Sequence, residues 1–541
     1  MKKDEENSIK DKDIINLINY KNRIIMITSD INEITFTSEG NECNAGILIK
    51  ERNRDLLIRI DNLYLNSVNQ ITFDFRGGNK CNYKSKLLYS GTNTIISEDN
   101  ITICISNNQT VEIKGEENSL LNIYGGTEMP AIGNNEWTAG SGHLIFSGCG
   151  NVEVKGGAGC KYYENLEHRG RCGCYSIGFL NKNITDTSTI KILENVNLKA
   201  IGGNGQSISS ITLNKCSGCG GSAINIEDNS SFEKVGFGNL ELIGGDAGKS
   251  IGNYACGNCA DGGDAIKIKS GLINITSPAI LKGGKGGSVD SKTEKVISKA
   301  GNGGDCISIS KSELDENVRH AKIRIDNYVQ AEGGDGGNSG VYFENESILG
   351  NDGGNGGNFI NSNNFKIEAA IGNIFFTGGE GGKGGCGETI GKNGISGEKF
   401  KGDNIYYTEF VKEENEDLYK ELDDLAKKES LLDFNNFSQE HIKKEDIEII
   451  KDDKEINHEN YNKNFYIEEK EVIEDIQLKE NKIGYGDENN QLEIFPNLNE
   501  KNKLVKIENQ ALPVEYKEAS KHSTNIIKRL FDYIKNLINK N

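Results

Sequence analysis

Pairs of glycine that follow a short apolar run recur along this chain. They begin at Gly156, Gly202, Gly244, Gly283, Gly333 and Gly378, at spacings of 46, 42, 39, 50 and 45 residues. Self-similarity at such a period marks an array in which each repeat is one supersecondary unit. A second glycine node follows most of the first after 18–20 residues, at Gly220, Gly262, Gly303 and Gly353. Short apolar runs come after that node: Ala223-Ile224-Asn225-Ile226, Ala265-Ile266-Lys267-Ile268, Cys306-Ile307-Ser308-Ile309 and Phe359-Ile360. Two more runs complete each unit, as in Leu272-Ile273-Asn274-Ile275 and Ala279-Ile280-Leu281. Apolar residues at every second position indicate strands with one buried face. Three strands per unit predict a coil with three sides, stacked into parallel sheets.

The fold class expected is therefore all-β: a parallel β-helix, or β-solenoid, over residues 29–400. Glycine is expected at the corners between sheets, where positive φ or close backbone approach would be needed. Of the 66 glycines only Gly402, Gly484 and Gly486 lie beyond residue 400, and there are only four prolines. That combination excludes collagen and a polyproline linker. A hydrophobic content of 35% is thin for a globular core. It is sufficient for a solenoid, whose coils each need only a few inward side chains.

Residues 1–28 read as an N-terminal cap with a short polar helix from Asp13 to Tyr20. Residues 401–541 read as a charged tail, partly disordered or helical, with 33 acidic and 22 basic residues. Within it, Asp417 to Leu432 carries Leu418, Leu422, Leu425, Leu431 and Leu432 and is a candidate cap for one open end. Ile527, Leu530, Phe531, Ile534, Leu537 and Ile538 line one face of an amphipathic helix over 523–540, expected to dock on a protein partner or on the chain itself.

The formal net charge of −19 argues against nucleic acid as a partner. The first twenty residues hold no apolar run typical of a signal peptide, and no stretch approaches transmembrane length. Synthesis in the cytosol is expected. Thirteen cysteines are many for such a protein. A spore or cell-surface layer assembled without secretion reconciles the two.

Cys216-Ser217-Gly218-Cys219 and Cys256-Gly257-Asn258-Cys259 sit before successive second nodes, with Cys172-Gly173-Cys174 one unit earlier. Stacked one coil apart, these thiols suit disulfides between coils or cross-links to neighbours. Cys216, Cys219, Cys256 and Cys259 also have the spacing of a zinc site, the less favoured reading. Asp261, Asp264, Asp305, Asp335 and Asp352 lie in the glycine loops. Stacked carboxylates repel, so these are candidate calcium ligands. No spacing of histidines and no nucleophile elbow indicates catalysis, so a non-enzymatic protein is expected.

Three segments carry a family resemblance. They are Asp55–Leu63 with Leu87–Thr94, Leu121–Gly126 with Pro130–Gly133, and Gly142–Gly148 with Val152–Gly157. Together they resemble the carbohydrate-binding-domain family of clostridial-type surface proteins, parallel β-helices with strand-Gly-Gly and Ala-Ile-Gly repeats. The resemblance implies binding of acidic, pectin-type polysaccharide, with calcium and without catalysis. Aromatic faces stack on pyranose rings. Trp137, Tyr162, Tyr163, Tyr254 and Tyr342, all in loops near glycine, are the candidate sugar contacts. The expected partners are thus polysaccharide or neighbouring coat and surface proteins. A cysteine-cross-linked structural protein and a β-helix polysaccharide lyase or hydrolase are the alternatives.

Overall fold

The computed structural model describes residues 9–409, apart from 53, 78–82, 160–169, 184, 210–216, 252–258, 291, 295–298, 311–320, 345–346, 364–366, 373 and 403–404. The chain divides into two units, 1–422 and 423–541. The second unit, and with it the helix expected over 523–540, lies outside the described residues.

The described chain is a parallel β-solenoid. Among the described residues, three sheets of 12, 11 and 10 strands run the length of the stack, here called sheets I, II and III. One coil shows the order: Ser230–Lys234 in sheet I, Leu240–Ile243 in sheet III, then Ile266–Ile268 in sheet II, and back to sheet I at Gly271–Ile275. Each strand pairs in parallel with its equivalents in the adjacent coils.

Register turns the alternating pattern into continuous interior columns. Val111, Leu144, Ile190, Phe232, Ile273, Ile323 and Ala369 stack rung on rung in sheet I. All seven are at most 3% exposed, so the core is one apolar stack rather than a series of local clusters. The outward positions carry opposite charges on neighbouring rungs. Lys191 pairs with Glu233 at 3.2 Å, Lys199 with Glu241 at 3.0 Å and Lys86 with Glu112 at 3.5 Å. Exposed pairs of this kind add little stability each, but they prevent like-charge stacking.

Two sequence expectations change at the ends. The helix expected over Asp13–Tyr20 is instead a strand, Ile14–Asn16, followed by a single 3-10 turn, Leu17–Asn19. Ile15 and Leu17 point into the core, and two apolar anchors in so short a segment are served by pairing with Thr35–Thr37 rather than by a helix. At the other end the coils run past residue 400, because Ile405–Glu409 still pairs with Ile367–Ile371.

The repeat length also changes along the stack. In sheet I the register advances from Ile34 to Ile58, Leu87 and Ile113, steps of 24, 29 and 26 residues. From Leu144 to Ile190, Phe232 and Ile273 the steps are 46, 42 and 41. The spacing of 39–50 read from the glycine pairs describes only these longer coils. What lengthens them is the glycine segments, which are not corners. The chain leaves sheet III, runs outward beside the triangle, turns, and runs back to sheet II.

In these segments backbone hydrogen bonding repeats every three residues. Gly244 donates its N–H to Lys282 of the next coil, Gly245 donates to Gly221 across the layer, and Asp246 donates to Asn204 Oδ1 of the previous coil. Ala247, Gly248 and Lys249 repeat the three directions, to Lys285, Gly218 and Ser207 Oγ. A threefold extended chain without internal hydrogen bonds has the geometry of the polyproline II helix. Two antiparallel layers of such segments form a slab attached to one corner of the triangle.

Close approach is what requires glycine here. None of the glycines in the Gly-Gly pairs has φ in the left-handed region. Gly203, Gly221, Gly245, Gly263, Gly284 and Gly304 form a zigzag, each donating to the carbonyl of the one before at 2.8 Å. A Cβ added at Gly263 would lie 2.0 Å from the Gly221 carbonyl oxygen.

Candidate functional site

The third residue of each glycine triplet faces outward, and the five predicted aspartates and Cys219 stand there. Gly173, Gly220, Gly262, Gly303 and Gly356 donate to the carbonyls of Cys219, Asp261, Asn302, Asn355 and Ile395 respectively. Cys172, Cys219, Asp261, Asn302, Asn355 and Ile395 are therefore one outward column. A parallel column, nearer sheet II, holds Ser222, Asp264, Asp305, Asn358 and Glu398.

All five aspartates do a structural job. Each accepts a backbone N–H from the next coil: Asp261 from Asn302 at 2.7 Å, Asp264 from Asp305 at 2.9 Å, Asp305 from Asn358 at 2.7 Å, Asp335 from Glu380 at 3.1 Å and Asp352 from Lys392 at 2.8 Å. This satisfies the outward N–H that the triplet geometry would otherwise leave open. Of the continuous carboxylate stack expected from the sequence, one pair among the five aspartates remains, Asp264 and Asp305, while Asp335 stands beside Glu380. Asp261 is flanked by Cys219 and Asn302, and Asp335 pairs with Lys285 at 3.3 Å. Among the described residues no group of three or more His, Cys, Asp or Glu converges as a metal site would.

The cysteines are not stacked as their spacing suggested. Cys219 is level with Asp261, and Ala260 N–H donates to Ser217 Oγ, so the two Cys-x-x-Cys motifs are out of register by two residues. The triplet period decides the register, and the sequence alignment on cysteine does not. Cys219 instead forms a disulfide with Cys172 of the previous coil, Cα atoms 4.5 Å apart. The bridge takes the place on the ladder that an Asx side chain takes in later coils. Cys259 is buried, while Cys216 and Cys256 lie outside the described residues. Cys174, beside the bridge, has its thiol pushed up to about 12, first by burial.

Among the candidate sugar contacts, Trp137 is 86% exposed. Its turn is held from below. Asn135 Oδ1 accepts the N–H of Trp137 and of Thr138, both at 3.1 Å, and Asn134 Nδ2 donates to Gly140 at 2.7 Å. The turn leaves sheet II at Ile132–Gly133 and lies at the corner with sheet I. Tyr342 sits in the strand Val341–Glu344 with its backbone opposite Leu349 and Thr293. Tyr162, Tyr163 and Tyr254 lie outside the described residues.

Sequence reasoning missed the polar lining of sheet II. Its outward positions place Asn225, Lys267, Ser308, Asn361 and Lys401 in one column. Next to it Lys269 Nζ reaches Glu227 Oε2 at 2.8 Å, and Asn225 Nδ2 approaches Glu227 Oε1 at 3.4 Å. Burial raises the pKa of Glu227, and Lys269 and Asn225 oppose that rise. Tyr175 closes the upper end, its hydroxyl donating to the Asn134 carbonyl at 2.5 Å. Along the rungs that follow the Trp137 turn the face carries amides, hydroxyls and paired charges, with Lys267 exposed and Asn225 and Ser308 largely buried. In sequence these residues look like ordinary outward strand positions.

Compared with known proteins, the chain matches no family model, no curated protein and no solved structure. No helix of the described residues is long and apolar enough to cross a membrane.

Proposed function

We propose that this solenoid binds an extended acidic polysaccharide, without catalysis, along the outward strip of sheet II beside Trp137. The observation that carries the reading is the presentation of Trp137. Trp137 is 86% exposed, and the Asn135 turn fixes the backbone from which the indole projects, so its face is available to stack on a pyranose ring. In this column Lys267 and Asn361 offer an ammonium and an amide to ligand carboxylates and hydroxyls, two rungs apart on strands spaced about 4.8 Å. The resemblance of residues 55–157 to pectin-binding surface domains points the same way. The test is titration against polygalacturonate, with and without calcium. Binding that weakens on Trp137→Ala supports the reading. Absence of binding in both conditions overturns it.

A second reading, a structural protein of a spore or surface layer, rests on Cys149 and Cys386, which are exposed. They lie in different coils, so each offers a thiol to a different neighbour. Disulfide ladders on non-reducing gels of native material that collapse in Cys149→Ser/Cys386→Ser would favour this reading. Monomer in the absence of reductant would remove it.

A further inference from the structure

The two ends of the stack are finished differently. At the first coil, Ile15, Ile25 and Ile27 are at most 6% exposed, and the 3-10 turn inserts Leu17, fully buried, where a sheet III strand would otherwise begin. The inward side chains of the first coil are thus buried, although Ile14–Asn16, Arg23–Ile27 and Glu42–Cys43 also end their sheets and Ile14, Ile24 and Met26 are exposed on the outer side. At the last coil the inward side chains Ile374, Phe376, Phe400 and Ile405 are only partly buried. Their register partners one coil earlier, Val329, Ala331, Ile360 and Ile367, are at most 1% exposed. Phe375, on the outer side of the same terminal strand, is 59% exposed. The strands Ile374–Thr377, Phe400–Lys401 and Ile405–Glu409 are also the terminal strands of their sheets, with one edge unpaired by another coil. An apolar core that ends on open strand edges is an association surface.

We propose that the segment from Phe410 to Leu422 covers this end. The last described strand, Ile405–Glu409, lies on the open rung, and Phe410 follows it directly in sequence. The segment carries Phe410, Val411, Leu418, Tyr419 and Leu422, apolar side chains of the kind the exposed core would accept. A tethered segment needs no partner and meets the surface at high effective concentration. The proposal is independent of the polysaccharide reading.

The experiment is hydrogen exchange on the full chain and on Leu418→Asp/Leu422→Asp. Exchange in 374–377 and 405–409 should quicken at least about tenfold in the variant. Exchange in 321–325, two rungs inside the terminal strand of sheet I, should stay unchanged, which reports that the coils are folded. If the double variant loses protection there too, Leu418→Ala and Leu422→Ala are read in its place, with the same local effect expected. Unchanged exchange at the last rung overturns the proposal. So does a full-length chain that is a dimer whose dissociation by Phe376→Asp exposes the same amides, because a second copy would then be the cover.

Discussion

Asp305 donates its backbone N–H to the carboxylate of Asp264, one coil earlier, at 2.9 Å, and brings its own carboxylate with it. Burial, and then the Asp305 charge, raise the pKa of Asp264 to about 7, against the Asp305 N–H and Lys267, with Asp261 adding a smaller repulsion. Asp305 is also raised by burial, opposed by Asn358 and Asn361. A raised carboxylate pKa favours the folded state below its unfolded value of 3.8, and that contribution is lost as pH rises through about 7. Asp264→Asn keeps the oxygen that accepts the Asp305 N–H and removes the charge. It should stabilise the protein by on the order of 1–3 kcal/mol at pH 8 and by little at pH 4. Urea unfolding at the two pH values measures the difference. Equal effects at both would show that the pair is not coupled to folding.

The glycine slab makes a sharper demand. Gly263→Val would place its Cβ 2.0 Å from the Gly221 carbonyl oxygen, against backbone that is fixed by its own hydrogen bond. A loss of about 4 kcal/mol or more is expected, in the class of severe overpacking. Gly40 is the control. It has φ +76° and nothing within 4 Å of an added Cβ, so Gly40→Asn should cost far less. Thermal unfolding of the two variants should separate them clearly.

How far the sequence could be read follows from which period each part obeys. The strands alternate with period two, and runs such as Leu272-Ile273-Asn274-Ile275 are readable as strands with one buried face from sequence alone. The glycine segments obey period three, visible in Gly378-Gly379-Glu380-Gly381-Gly382-Lys383, but corners and threefold helices both use Gly-Gly. The difference lies in which carbonyl each N–H meets, which is a tertiary fact. The same ambiguity displaced the cysteines. Cys219 and Cys259 look equivalent by motif, yet Gly220 and Gly262 put Asp261 opposite Cys219. The polar strip of sheet II was hidden for a related reason. Asn225 and Glu227 are outward residues of a strand, and their burial comes from neighbours far along the chain.

The Cys172–Cys219 bridge closes a loop across one coil, its ends 47 residues apart in sequence. In the chain-entropy account such a loop stabilises by about 4 kcal/mol. Cys172→Ser/Cys219→Ser should lower the unfolding midpoint, and hydrogen exchange should quicken first at Gly173 and Gly218, which bond to Cys219 and Gln206 beside the bridge. If reduced and oxidised wild type unfold alike, the bridge contributes nothing.

Lys234 is a charged side chain in an interior column of sheet I, between Ile192 and Ile275 of the neighbouring coils. It is fully buried, and its Nζ donates to the Gly236 carbonyl at 2.5 Å. Burial lowers its pKa to about 8, from 10.5. A lysine with a depressed pKa is neutral in both states above 10.5 and costs nothing there. As pH falls the unfolded chain gains a proton first, and the cost is complete below about 8. Lys234→Met fills the same volume without the charge and should stabilise the protein at pH 7 by on the order of 2 kcal/mol, since the Gly236 carbonyl loses a donor in exchange. The gain should shrink towards pH 10. Unfolding midpoints of the two proteins at pH 7 and pH 10 decide the matter. A destabilised variant at pH 7 would mean that the lysine is held by more than its bond to Gly236.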